Sequence, residues 1–261
     1  MSYKLDNVDI SSFGAYPYEN TKGSTAITGI FDLPKRKGTT EYDWGTTIEP
    51  FVDAEDIELD GRTLTLSLVI RSSNLKSQLK KLVDACIACR HLSTVFGDFD
   101  IICKDEITVE EYLSLNMAIV QVKFWQQDYI PAEIKMQPSG GNSYTMDNYS
   151  LYVDFGISVS FRSGVESIGK RIEVATTLPY MQNKFRELGT LTLKCAMLGT
   201  DLKDLYLKMG QFSALCISPG LRSLCLRDNE NMKIYFKDGI TVTARTAHVL
   251  EFDLKCRVMQ Q

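Results

Sequence analysis

Histidine is nearly missing from this chain: its 261 residues include two, His91 and His248. General acid–base chemistry most often uses histidine, and no Gly-x-Ser-x-Gly elbow presents a nucleophilic serine. Catalytic groups are thus in short supply, and an enzyme is not expected. Positive charge is not in excess either. Lys and Arg number 29 against 33 Asp and Glu, a formal net charge of −4, so no overall attraction to nucleic acid or to an anionic membrane is expected. No stretch approaches the roughly 20 apolar residues of a membrane span. Met1 to Asp6 lacks the apolar run of a signal peptide, so the expectation is a cytosolic protein with no membrane insertion. A composition that is 44% hydrophobic and 24% charged is ordinary for a globular protein and does not indicate disorder. The seven cysteines are an odd number set mostly inside apolar stretches. They read as reduced thiols packed as small hydrophobes and not as a secreted disulfide framework.

Three local patterns resemble chemical sites and lack a necessary part. Cys86-Ile87-Ala88-Cys89, with His91 beyond it, has the spacing of a redox or metal pair. No second ligand pair of matching spacing accompanies it, Cys103 stands alone on a strand, and the duplicate helix is expected to have Phe212 and Leu215 where the thiols align. Core packing is the expected role. Gly164 to Lys170 has phosphate-loop spacing, but Arg171 replaces the magnesium-binding hydroxyl, and the residues that follow read as strand where such a loop must open a helix. The acidic run Asp53, Glu55, Asp56, Glu58 and Asp60 lacks the order of a calcium loop and reads as a solvated edge. No catalytic residue, metal ligand or cofactor site is therefore assigned.

What the chain does contain is a repeat. Tyr3, Asp6-Asn7 and Phe13-Gly14 reappear as Tyr144, Asp147-Asn148 and Phe155-Gly156. Leu64-Thr65-Leu66 returns as Leu191-Thr192-Leu193, and Asn74-Leu75-Lys76 as Asp201-Leu202-Lys203, both at an offset of 127 positions. Two copies of about 130 residues suit two self-sufficient domains more than a solenoid. In each copy an alternating strand, Leu64 to Ile70 or Leu191 to Cys195, leads through a polar cap into an amphipathic helix, expected over about Leu75 to Ala88 and Leu202 to Ala214. His91 falls at the end of the first helix. Each copy closes on a β-rich run, Ala118 to Phe124 and His248 to Cys256, with charged hairpin tips earlier at Lys104 to Glu106 and Arg227 to Glu230. The fold class expected is mainly β (α+β), a tandem duplication of a barrel or bent antiparallel sheet with one flanking helix per copy. The first domain spans 1–130, a Pro/Gly-rich linker 131–143 and the second domain 144–261.

The copies differ most before the central strand, where the first carries about fifteen extra residues. Leu33 to Pro50 reads as a projecting hairpin with Lys35, Arg36 and Lys37 at its tip and Tyr42 and Trp44 on its second arm. Long loops that carry aromatics and charge are more often contact devices than decoration, although the same segment could lie as a lid over its own domain. These five residues are the candidate contacts between subunits. A basic tip that meets an acidic edge such as Asp53 to Asp60 further implies assembly that salt weakens.

The run from Lys35 to Gly45, the Asp60-Gly61-Arg62-Thr63 turn into its strand, and the helix from Asn74 to Leu82 together resemble the N-terminal domain of distal tail proteins of long-tailed bacteriophages. The resemblance covers Leu33 to Asp98 and reaches the second copy only as a skeleton, with Leu188-Gly189-Thr190 in place of Gly-Arg-Thr and no basic hairpin. It implies the tail-tube fold, a β-barrel flanked by a helix that phage tube, distal tail and baseplate hub proteins and contractile secretion machines share. It further implies a ring around a channel, assembled in the host cytoplasm and then carried in the virion tail, with other copies of the chain and other tail proteins as partners. Three two-barrel subunits or six subunits with one ring domain each would satisfy six-fold symmetry; on the second scheme only the first copy lines the channel. Outside this resemblance, the same sequence suits a non-catalytic binding or assembly module, monomeric or dimeric.

Overall fold

The computed structural model describes residues 3–19, 25–44, 48–165, 171–172, 183–184, 189–227 and 230–259. The protein is mainly β, built from antiparallel sheets with helices packed on them. In the first half, strand Arg62–Arg71 pairs along its full length with Met117–Gln126, from Arg62 opposite Gln126 to Arg71 opposite Met117. Period-two alternation sends Leu64, Leu66, Leu68 and Ile70 to the buried face, where they meet Val120, Val122 and Phe124 of the partner strand. Helix α1 (Leu75–Ala88) buries Leu75, Leu82 and Cys86.

In the second half, strand Gly189–Leu198 lies between Ile157–Val165 and Val249–Met259. A short helix, α2 (Leu151–Phe155), precedes these three strands in the chain, and the long helix α3 (Leu202–Cys216) follows the central one. Asp201 caps α3 by accepting from the amides of Lys203 and Asp204, both at 2.8 Å. The first helix makes no such side-chain bond at Asn74; there the Ser72 hydroxyl accepts from the Asn74 amide at 3.1 Å. Leu66 and Leu193 occupy the long strand that leads into the helix, and Leu75 and Leu202 are the first residues of α1 and α3.

The repeated Asp-Asn pairs have a physical account. Asp6 and Asn7 take φ of 45° and 69°, and Asp147 and Asn148 take 49° and 68°, the left-handed geometry that a tight hairpin turn requires and that Asn and Asp tolerate best. Each aspartate also holds the strand that follows its helix. Asp6 Oδ1 accepts from the amides of Arg90 and His91 at 3.0 and 2.8 Å. Asp147 accepts from the Ser223 amide and from Arg222 Nη1, both at 2.7 Å. Gly14 and Gly156, each at φ 70°, then close short helical turns in matching ways.

Two expectations need correction. His91 does not end a helix: α1 stops at Ala88, Cys89 is extended, and the two bonds to Asp6 draw His91 into strand His91–Thr94. Because α1 and α3 begin at the same offset, Cys86 and Cys89 correspond to Ser213 and Cys216 and not to Phe212 and Leu215. The cysteines among the described residues are free, and Cys86 and Cys89 are buried. Burial pushes the Cys86 thiol up to about 12 and the Cys89 thiol up to about 11. Cys86→Ala and Cys89→Ala are each expected to cost about 1 kcal/mol by lost packing, as urea unfolding would read. A Cys86–Cys89 disulfide or stoichiometric zinc in freshly purified protein would contradict this packing role. Gly164 lies in strand Ile157–Val165. The remainder of the loop, 166–170, lies outside the described residues, as do 173–177 and the hairpin-tip residues 228–229.

The halves share one hydrophobic core. Phe31 of the first half meets Tyr206 of α3 edge-on at 6.2 Å, and Leu33 and Ile240 exchange two backbone hydrogen bonds of 2.9 Å. Gly239 allows this approach, since a Cβ there would stand 2.3 Å from the Leu33 carbonyl oxygen. The 131–143 segment carries no regular strand or helix, and its Ile134 and Met136 pack against the shared core.

Asp32 crosses the same seam, accepting from the Val242 amide at 2.8 Å. Burial raises its carboxyl above the ordinary value, more than the Val242 bond and the Arg62 charge lower it. The protonated form is therefore the one that folding favours. That contribution is complete below the ordinary carboxylate range and is lost as pH rises through the raised value. Asp32→Asn keeps an acceptor for Val242 and is expected to be more stable than the parent at neutral pH, with the gain vanishing in acid. Thermal unfolding of both proteins at the two pH values checks the sign.

Candidate functional site

The insertion in the first half forms a hairpin in which Glu41, Tyr42 and Asp43 lie opposite Pro50, Glu49 and Ile48. Tyr42 and Trp44 are 48% and 61% exposed, and their rings meet at 4.5 Å with an interplanar angle of 60°. Trp44 Nε1 donates to Glu49 Oε2 at 2.9 Å. The two aromatics therefore hold one another on the outside of the molecule in a defined orientation.

The base of the hairpin is fixed by Glu41. Its carboxylate accepts from the Tyr235 hydroxyl, from Lys237 Nζ at 3.3 Å and from Arg257 Nη2 at 3.4 Å, all three from the second half. Burial pushes the Glu41 carboxyl up, but the Tyr235 bond and the Lys237 and Arg257 charges outweigh it, so its value falls below the ordinary one. Tyr235 is correspondingly raised, by burial first and then by the carboxylate it donates to.

The basic residues are not at a tip. Leu33 is tied to Ile240, and the chain beyond it stays extended, with an isolated bridge between Arg36 and Leu59. Alternation along an extended segment turns Lys35 and Lys37 outward and Arg36 inward. Arg36 is only 8% exposed. Its Nη2 donates to the Phe51 carbonyl and, at 3.1 Å, to the Asp56 carbonyl. Lys37 Nζ lies 2.9 Å from Glu58 and Lys35 Nζ 4.0 Å from Asp60. Two members of the acidic run expected to meet another subunit, Glu58 and Asp60, are thus met by this chain's own lysines. Three consecutive charges look like one solvated cluster when read as a string; the period of two that buries the middle one becomes visible only once the segment is known to be extended.

Of the five sequence-derived contact residues, the structure keeps Tyr42 and Trp44 together at the surface, places Lys35 and Lys37 in exposed intramolecular pairs, and withdraws Arg36 into the body. Glu41 was missed. Its signal in the sequence is slight, since a glutamate on a polar hairpin gives no hint of partners roughly 200 positions away. Among the described residues, no group of three His, Cys, Asp or Glu side chains is placed to hold a metal ion, and no helix is long and apolar enough to cross a membrane.

By fold, then, this is a mainly β protein of antiparallel sheets whose two halves present similar strand-to-helix units. No family model matches the chain, and no curated protein matches it. Among solved structures it is similar to the SPP1 Dit protein, described as a paradigm of the hub adsorption apparatus in phages that infect Gram-positive hosts. That similarity is at 9% identity and a TM-score of 0.30, over 97% of this chain and 98% of that one. A likeness at that level assigns neither a family nor a function.

Proposed function

We propose that the chain is a structural protein of a phage or prophage tail that assembles into a ring continuing the tail tube, and that the Glu41–Pro50 hairpin makes the contact between neighbouring subunits or with the next tail component. Its role on this proposal is assembly without catalysis. The observation that carries the assembly role is the exposed Tyr42–Trp44 pair on a hairpin whose base is tied to the opposite half of the molecule. Large aromatics oriented before binding lose little side-chain freedom on contact and are the residues that most often anchor interfaces. The tail assignment rests on the sequence resemblance of Leu33 to Asp98. The recurrence of the Asp-Asn turn and the strand-to-helix register in both halves supports a duplication, which would let three chains supply six similar units.

Light scattering coupled to size exclusion, together with negative-stain images, tests the proposal. Trimeric or hexameric rings with a central hole are expected. A monodisperse monomer or dimer at tens of micromolar would favour a binding module outside any tail and would end the ring proposal.

A further inference from the structure

Where the halves meet, a cavity of about 280 Å³ lies between the first-half strands and α3. Its walls include the rings of Phe31, Phe99, Tyr129 and Tyr206, and the buried guanidinium of Arg62 enters from the start of strand Arg62–Arg71. Arg62 is 93% buried, at 7% exposure. Its guanidinium is held edge and face. Nε donates to Gln126 Oε1 at 2.8 Å, and Nη1 donates to the carbonyls of Ile30 at 2.8 Å and Asp32 at 3.1 Å. The group lies over the Tyr129 ring at 4.8 Å and the Phe99 ring at 5.8 Å.

Nη2 is different. Among the described residues no protein acceptor is placed on it and no carboxylate is paired with the guanidinium, and Nη2 is not one of the sealed unpartnered atoms, so it opens on the cavity. The Asp32 carboxylate is turned to the Val242 amide. Asp98, at the cavity wall, is largely exposed and sits 4.0 Å from His91. The hydrogen bonds of this buried cation all go to neutral acceptors, and Asp32, whose carboxyl its charge acts on, makes no direct bond to it, so a carboxylate in the cavity would supply the direct anionic partner that a buried charge favours. With Nε and Nη1 committed, Nη2 still offers its two N–H donors to a carboxylate, a charge-assisted contact stronger than one to a neutral acceptor.

The geometry points to a binding site for a small monocarboxylate with a flat or branched apolar body, its carboxylate on Arg62 Nη2 and its body between the aromatic walls. The volume is just below the ~300–1,000 Å³ of sites for drug-sized ligands, which restricts the occupant to a small molecule. The site is independent of ring formation, because every wall belongs to one chain.

Fluorine NMR of fluorobenzoate and its neutral analogue fluorobenzamide tests this on the full chain. Fluorobenzoate is expected to bind saturably with a dissociation constant on the order of 1 mM, and fluorobenzamide at least about tenfold more weakly. Arg62→Gln is expected to remove the preference for the acid. Since Arg62 also holds two backbone carbonyls, a second variant keeps it in place: Ala132→Trp fills the cavity from an exposed wall residue and is expected to abolish binding with the fold unchanged. Equal binding of the two probes, undiminished binding in Ala132→Trp, or no saturable binding to folded parent protein would overturn the assignment.

Discussion

Glu41→Gln is expected to cost about 2 kcal/mol of stability at pH 7, the scale of hydrogen bonds to a charged group, and to loosen the hairpin's tie to the second half. Glutamine can still accept from Tyr235, but Lys237 and Arg257 lose the charge they share. The pH dependence gives the mechanism its own signature. The Glu41 carboxyl is depressed in the folded protein, so its contribution is complete above the ordinary value of 4.5 and fades as pH falls below it through the folded value. Parent and variant should therefore differ at neutral pH and converge in acid. Urea unfolding of both proteins across that range measures the convergence. A constant gap at every pH would mean that the variant acts through packing and not through the carboxylate's charge.

Trp44→Ala is expected to have the largest effect on assembly, at least about 2 kcal/mol per contact, as for a central aromatic anchor. The folded subunit itself should change little, because the ring is mostly outside. Lys35→Ala and Lys37→Ala should each weaken assembly by well under 1 kcal/mol, since exposed pairs contribute little and both lysines already face Asp60 and Glu58 of their own chain. For the same reason salt should have only a slight effect, in contrast to what a free basic tip would give. Sedimentation velocity of the parent and the three variants across a salt series separates the cases. If Trp44→Ala leaves the oligomer distribution unchanged, the hairpin serves its own subunit alone.

Glu41 and Arg36 also mark where local reading ends. The long strands, the positions of α1 and α3 and the mainly β class were legible because each rests on a period carried by neighbouring residues: two for Leu64 to Ile70, and three to four for Leu75, Leu79 and Leu82. The Asp-Asn pairs and the glycines that follow them were legible as a repeat because such turns accept few residue types. The extended run at Lys35 to Lys37 was not, since its conformation is imposed by Leu33 pairing with Ile240, more than 200 positions later.

By itself the sequence determined the elements, their amphipathic faces, the recurrence of one strand-to-helix unit and the scarcity of catalytic groups. Tertiary structure alone decided which charges meet. It turned Arg36 inward, gave Glu41 three partners from the other half, left Arg62 facing a cavity and kept Tyr42 and Trp44 outside. The reason is that hydrophobic burial repeats along the chain with the period of the backbone, whereas an ion or a hydrogen-bonding group is settled by whatever the folded chain brings to within about 3 Å of it.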